Sequence, residues 1–180
     1  MNSLEFSRLT DASILSEFYC GVDTMDDFLH GEFKDYLYLG ICKAYAVKMD
    51  NQLVAIYTTD SFNVFISDKL KENMREGIKP IPGIALDPSH PYWTMPLIDS
   101  IEITYLAVAK EYQHKHIGSV IIEKIVQDLK KAHCTSPLLT VRAYNTIQYT
   151  TVPFYEKCGF YPAEAESSTK QTLCMYRIIA

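Results

Sequence analysis

Ten consecutive residues, Lys110-Glu111-Tyr112-Gln113-His114-Lys115-His116-Ile117-Gly118-Ser119, carry the strongest chemical signal in the chain. They lie between a run that reads as a buried strand and one that reads as a helix. A helix N-terminus presents unpaired backbone N–H groups and the positive end of the helix dipole, which together suit a phosphate. Gly118 permits close backbone approach, and Ser119 offers a hydroxyl. Lys115 adds positive charge, as do His114 and His116 when protonated. The run is neither a Walker A loop nor a GxGxxG fingerprint, and alone it also describes many helices that bind nothing. As metal ligands His114 and His116 lack a third partner at suitable spacing, and HEXXH is absent. Two solvated side chains at a helix entry is the simpler reading, so no metal is expected.

The elements that must position this run belong to a chain of 180 residues, a length that suits one domain. Apolar types make up 48%, enough for a sizeable core. The formal net charge of −5 argues against broad nucleic-acid or anionic-membrane binding, though not against a local basic patch. Five scattered cysteines without a CxxC pair read as reduced thiols, and Cys158 as a packed thiol. The opening MNSLEFSRLTDASILSEF lacks the basic and apolar regions of a signal peptide, and no window approaches the roughly 20 apolar residues of a membrane span. These features predict a soluble cytoplasmic protein with no membrane partner.

Leu4 to Leu9 reads as a short strand. Asp23 can cap one helix carrying Met25, Phe28, Leu29, Phe33, Tyr36 and Leu37 on a single face. Ile41 to Met49 and Leu53 to Phe62 are β-rich and joined at Asp50-Asn51, a hairpin pattern. Asp68 to Glu76 reads as a surface helix. Lys79 to Pro96 holds five of the eight prolines and reads as a long loop, with Tyr92 and Trp93 either lining an acceptor pocket or pinning the loop. Ser100 to Ala109 is a buried strand, and Ile117 to Ala132 a helix with Ile117, Ile121, Ile125 and Leu129 on one face. Leu138 to Tyr144 is a second strand, so the three form a βαβ unit with parallel strands. Thr151 to Lys157 is a helix ending near Gly159, and Gln171 to Ile179 a closing strand. The expected class is a mixed α/β or α+β sheet, mostly antiparallel, with a central parallel βαβ unit and flanking helices.

Leu106-Ala107-Val108 followed by Gln113, His116 and Gly118 resembles motif A of the GNAT superfamily of acyl-CoA-dependent N-acyltransferases, Arg/Gln-x-x-Gly-x-Gly/Ala. Phe154-Tyr155-Glu156-Lys157-Cys158-Gly159-Phe160 resembles its motif B. Phe18-Tyr19-Cys20-Gly21 with Met25 and Asp27-Phe28-Leu29 is similar to the start of the toxin-like branch, which Tyr144-Asn145 and Met175-Tyr176 also fit.

The resemblance implies direct transfer of an acetyl group from acetyl-CoA to a primary amine. It implies that amides of Gln113, His114, Lys115, His116, Ile117, Gly118 and Ser119 hold the pyrophosphate, and that Leu106, Ala107 and Val108 pair with the pantetheine arm. Asn145 falls among the expected cofactor-binding residues. Tyr155 is expected beside the sulfur, protonating the thiolate; its plain alternative is a core aromatic. Glu102, placed where several GNAT enzymes carry a glutamate, is the candidate base; the alternative is a salt-bridged strand carboxylate. Strict alternation places Glu102, Thr104, Leu106 and Val108 on one face.

His116 departs from the family glycine, and His114 from a small residue. If the position requires positive φ the imidazole is strained; if it is helical, the ring can face the phosphates. Three functions follow: an N-acetyltransferase with a small-molecule or peptide acceptor, a toxin-type enzyme acetylating charged tRNA, or a non-catalytic CoA-binding module. GNAT proteins are often dimers, so the resemblance also makes a homodimer an expectation.

Overall fold

A computed structural model describes residues 3–65, 67, 68, 72, 97–132, 136, 138–163 and 171–179. Most of the expected Asp68–Glu76 helix, and the whole Lys79–Pro96 loop with Tyr92 and Trp93, lie outside the described residues. The chain divides into two compact units: Met1–Asp60 with Ile103–Ile125, and Ser61–Glu102 with Val126–Ala180. Among the described residues are seven strands: β1 (Leu4–Arg8), β2 (Lys43–Met49), β3 (Gln52–Phe65), β4 (Leu97–Val108), β5 (Leu138–Tyr144), β6 (Tyr161–Pro162) and β7 (Thr172–Ile178). Their order in the sheet is β1-β2-β3-β4-β5-β7-β6. The α-helices are α1 (Asp23–His30), α2 (Phe33–Leu39), α3 (Ile117–Lys131) and α4 (Val152–Lys157). The mixed, mostly antiparallel sheet with one parallel pair and flanking helices matches the expected class.

In the first unit, β2 and β3 meet at Asp50 and Asn51, with φ of 51° and 65°. Positive φ at both central residues is the two-residue hairpin turn whose twist suits the flanking strands. The single helix expected from Asp23 onward is instead two. α1 ends at Gly31, whose N–H donates to the Asp27 carbonyl at 2.9 Å, and α2 starts two residues later. Met25, Leu29 and Phe33 are buried as the periodicity requires. Both helices present apolar faces to the same core, so the periodicity runs through the break, and only the mid-run glycine signals it. Nor does Asp23 cap α1: the N-cap is Val22, without a side-chain hydrogen bond. Phe28 stacks on Tyr105 of β4 at 4.4 Å between centroids, fixing α1 against that strand.

In the second unit, Ser100 Oγ lies 3.2 Å from Thr140 Oγ1, and Glu102 accepts from Arg142. Partners rising together in number along β4 and β5 mark a parallel pair, as the βαβ reading required. β5 also pairs antiparallel with β7, from Leu138 opposite Ile178 to Tyr144 opposite Thr172. Val64, Ile98, Leu138 and Tyr176 form a buried cluster here. Back in the first unit, Ile117, Ile121 and Ile125 along α3 are buried as expected. Each such side chain contributes on the order of 2 kcal/mol of transfer free energy.

Candidate functional site

The first unit holds the phosphate-binding candidate. β4 ends where the Ala109 N–H donates to the Val54 carbonyl at 2.9 Å, and a 3-10 turn spans Lys110–Tyr112. The Gln113 side chain then turns inward. Its Nε2 donates to the carbonyls of Cys20 at 2.7 Å and Val108 at 3.0 Å. Its own N–H donates to the Lys110 carbonyl at 3.4 Å, so Gln113 braces the loop and the outward-facing amides begin beyond it.

His114 and His116 both adopt the left-handed conformation, with φ of 59° and 62°. This answers the question left by the motif: the position does require positive φ, and histidine occupies it at a cost of about 1–2 kcal/mol per residue. Left-handed residues interspersed in a turn point successive N–H groups into one concavity, the backbone pattern of anion nests. α3 opens with the Val120 N–H donating to the His116 carbonyl at 3.1 Å. The amides of Ile117, Gly118 and Ser119 therefore precede the helical ladder. Those amides, with a nest before them, fit a pyrophosphate. Ser119 Oγ donates to the His116 carbonyl at 2.8 Å, so its hydroxyl proton closes the turn and does not face a ligand. His114, Lys115 and His116 are exposed, and Lys115 Nζ lies 5.0 Å from the Tyr112 ring centroid. Leu106 and Val108 are half-buried and Ala107 is buried.

Burial along β4 breaks the expected strict alternation. Ile98, Ser100 and Glu102 are buried in one phase, Ile103 and Ala107 in the other, and Thr104 is exposed. Glu102 thus differs in burial from Thr104, with which it was expected to share a face.

The second unit holds the two catalytic candidates and Asn145. Glu102, 7% exposed, accepts from Arg142 Nε at 3.1 Å. The guanidinium also lies over the Phe62 ring, 5.2 Å from its centroid. Glu102 is thus a paired carboxylate, and Arg142 is a neighbour that the strand pattern alone did not identify. The only signal for Arg142 is a charge interrupting the apolar run of β5. Asn145, exposed at the end of β5, donates its N–H to the Gln171 carbonyl at 2.9 Å.

Tyr155 sits in α4, whose C-terminus follows motif B residue by residue. The Phe160 N–H donates to the Tyr155 carbonyl at 3.0 Å, and the Gly159 N–H to the Glu156 carbonyl at 3.0 Å. With Gly159 at φ 80°, this is the double-bonded Schellman C-cap. The buried Phe160 ring packs on Tyr155 at 5.5 Å and Phe154 flanks it at 5.0 Å. The glycine and phenylalanine of the motif are therefore the device that sets the tyrosine. Burial pushes the Tyr155 phenol above its ordinary value, and neighbouring Tyr149 and Cys158 push the same way.

Burial likewise raises the Cys20 and Cys174 thiols to about 11, consistent with inert packed thiols. Cys20, Cys42, Cys158 and Cys174 are all buried and unbridged. Among the described residues no cluster of three or more His, Cys, Asp or Glu side chains could hold a metal ion.

Residues 76–162, which contain both motifs, match the acetyltransferase (GNAT) domain family. This part of the chain is similar to a GNAT acetyltransferase domain. Acetyl-CoA is the acyl donor of such domains. No curated protein matches the chain in sequence. Solved structures resemble it in fold along nearly its whole length. A bacterial toxin is 16% identical, with a TM-score of 0.71, over 99% of this chain and 92% of its own. The toxin AtaT, bound to the C-terminus of the antitoxin AtaR and acetyl-CoA, is 17% identical with a TM-score of 0.68, over 99% and 94%. AtaT complexed with acetyl-methionyl-tRNAfMet is 18% identical with a TM-score of 0.68, over 98% and 95%. Among the described residues, no helix is long and apolar enough to cross a membrane.

Proposed function

We propose that the protein transfers an acetyl group from acetyl-CoA directly to a primary amine, and that its 180 residues act as one catalytic domain. The observation that carries this reading is the nest of left-handed His114 and His116 leading into the unladdered amides of Ile117 to Ser119. Those amides, from His114 onward, hold the pyrophosphate; Lys115 supplies positive charge; the backbone at Leu106 to Val108 receives the pantetheine arm. Asn145, at the end of β5, is the further residue expected to bind the cofactor.

Glu102 accepts the proton that the ammonium must lose, directly or through a water. The neutral amine then attacks the acetyl carbonyl carbon; a C–N bond forms and the C–S bond breaks. Tyr155 donates its phenolic proton to the departing sulfur, and the second proton of the nitrogen returns to the phenolate, directly or through a water. The phenol carries its proton at neutral pH, since its ordinary value near 10 is pushed further up by burial. The buried, unbridged cysteines support a cytoplasmic setting.

A second reading narrows the acceptor to the amino group of a charged tRNA. It is favoured by the likeness to AtaT in complex with acetyl-methionyl-tRNAfMet, which spans 98% of this chain. On that reading an antitoxin is the natural protein partner. The net charge of −5 opposes it and requires tRNA contacts to be local.

The test measures release of free CoA from acetyl-CoA with four acceptors: aminoacyl-tRNA, uncharged tRNA, a polyamine and a peptide amine. Turnover with charged but not uncharged tRNA supports the toxin-type reading. Turnover with the polyamine or peptide alone removes it and leaves the broader one. Acetyl-CoA binding without turnover on any acceptor, in wild type and Tyr155→Phe alike, replaces the enzyme by a CoA-binding module.

A further inference from the structure

We propose that Asp26 is a positioning residue for the loop carrying His114 and His116, acting through the turn at Cys20-Gly21 and the side chain of Gln113. The inference rests on the reading of residues 114–119 as the phosphate site. It joins two stretches that lie more than eighty residues apart in sequence.

Asp26 projects from α1 and is 8% exposed. Its Oδ1 accepts from the Cys20 N–H at 2.8 Å and its Oδ2 from the Gly21 N–H at 2.9 Å. Burial works to raise this carboxyl, but those hydrogen bonds and nearby His30 outweigh it and hold it below its ordinary value. An ionised acceptor with two amide donors is a strong clamp. His30, one helical turn further along α1, takes the opposite polarity. Its Nε2 donates to the carbonyls of Leu15 and Phe18, at 3.0 and 2.9 Å. One face of α1 thus holds the 15–21 segment by both its N–H and its C=O groups.

The carbonyls this segment has left then reach the loop. Tyr19 O accepts from the Lys110 N–H at 2.9 Å, and Cys20 O from Gln113 Nε2 at 2.7 Å. Gly21, at φ 80°, lies where an added Cβ would sit 3.2 Å from Lys110 Cδ, so the turn and the loop are in close packing. Left-handed non-glycine residues persist only where their surroundings over-determine the backbone. Lys110 and Gln113, immediately before His114, are where the 19–21 turn supplies that constraint. Without Asp26 the turn loses the acceptor for two amides, and the anchor points of the loop are released together.

The test uses the full chain and two readouts. Hydrogen exchange of the His114 to Ser119 amides reports the loop without ligand, and calorimetric titration reports acetyl-CoA affinity. Asp26→Asn and Gln113→Met are each expected to speed loop exchange and weaken acetyl-CoA binding by about tenfold. The double variant should be no worse than either single one, because both cut one relay. Ser136→Ala removes a hydroxyl that donates to the Asp99 carbonyl at 2.7 Å in the other unit. It should lower Tm while leaving both readouts at wild-type values. Wild-type loop exchange in Asp26→Asn, or effects that sum in the double variant, overturns the proposal. If Asp26→Asn does not fold, Gln113→Met decides it by the same two readouts. If wild type itself does not bind acetyl-CoA, the phosphate reading falls, while exchange alone still decides whether Asp26 holds the loop.

Discussion

Among the turns that place backbone in the left-handed region, two do so with opposite chemistry. At the end of α4 the residue is Gly159, which adopts φ 80° without a Cβ to clash. Before α3 the residues are His114 and His116, which adopt the same region against their intrinsic preference. The first turn is closed by its own helix, through the two cap bonds to the carbonyls of Tyr155 and Glu156. The second follows residues anchored from outside, by carbonyls of Tyr19 and Cys20. The turn closed by its own helix relies on glycine, whereas the externally braced one carries two side chains in the same conformation.

The largest expected effect lies at the residue the Gly159 cap sets in place. Tyr155→Phe should lower turnover about a hundredfold or more while leaving acetyl-CoA affinity unchanged. Because burial raises the phenol, it stays protonated past its ordinary value near 10, so wild type should show no activity loss from this group below that pH. An alkaline limb below pH 10 that vanishes in Tyr155→Phe would overturn the upward shift of the phenol.

Next, Gly159→Ala forces a Cβ into a left-handed position and should cost about 1–2 kcal/mol. That corresponds to a Tm lower by roughly 2–8 °C. An unchanged melting curve would break the claim that this turn depends on glycine.

A smaller effect separates the two turns by pH. Asp26, which anchors the histidine-bearing loop, has a depressed folded-state value. Its contribution is complete above its unfolded value near 3.9 and is lost as pH falls through the folded one. The glycine cap has no ionisable group and no such dependence. Acid unfolding of Asp26→Asn should therefore flatten relative to wild type below about pH 4, whereas that of Gly159→Ala should only shift. Parallel acid curves for wild type and Asp26→Asn would sink this assignment.

The smallest effect is at His116→Gly. Relief of left-handed strain and the added unfolded-chain entropy of glycine nearly offset each other, leaving a gain within about 1 kcal/mol. Thermal melts check it; a loss larger than that would mean the imbalance between the two turns lies elsewhere.

Much of the fold was legible because local rules act on adjacent residues. Alternation and periodicity located β5 at Leu138–Tyr144 and started α3 at Ile117, and a two-residue polar joint located the β2–β3 turn. They failed where two helices shared one apolar face across Gly31, and where the two-residue β6 was too short to have a pattern. The family likeness also emerged from two motifs, each carried by a short run of nearby residues. The site was only partly readable. Nothing in the motif said that the Ser119 hydroxyl is spent on the His116 carbonyl, or that Gln113 points inward.

The sequence by itself determined the GNAT likeness, the strand and helix order, and the residue types at the two motifs, since each is carried by neighbours along the chain. Tertiary structure alone decided the sign of φ at His116, the pairing of Glu102 with Arg142, and the tie from Asp26 to Gln113. Those depend on hydrogen bonds between segments that meet only after folding. Their energy comes from geometry, which residue type does not encode.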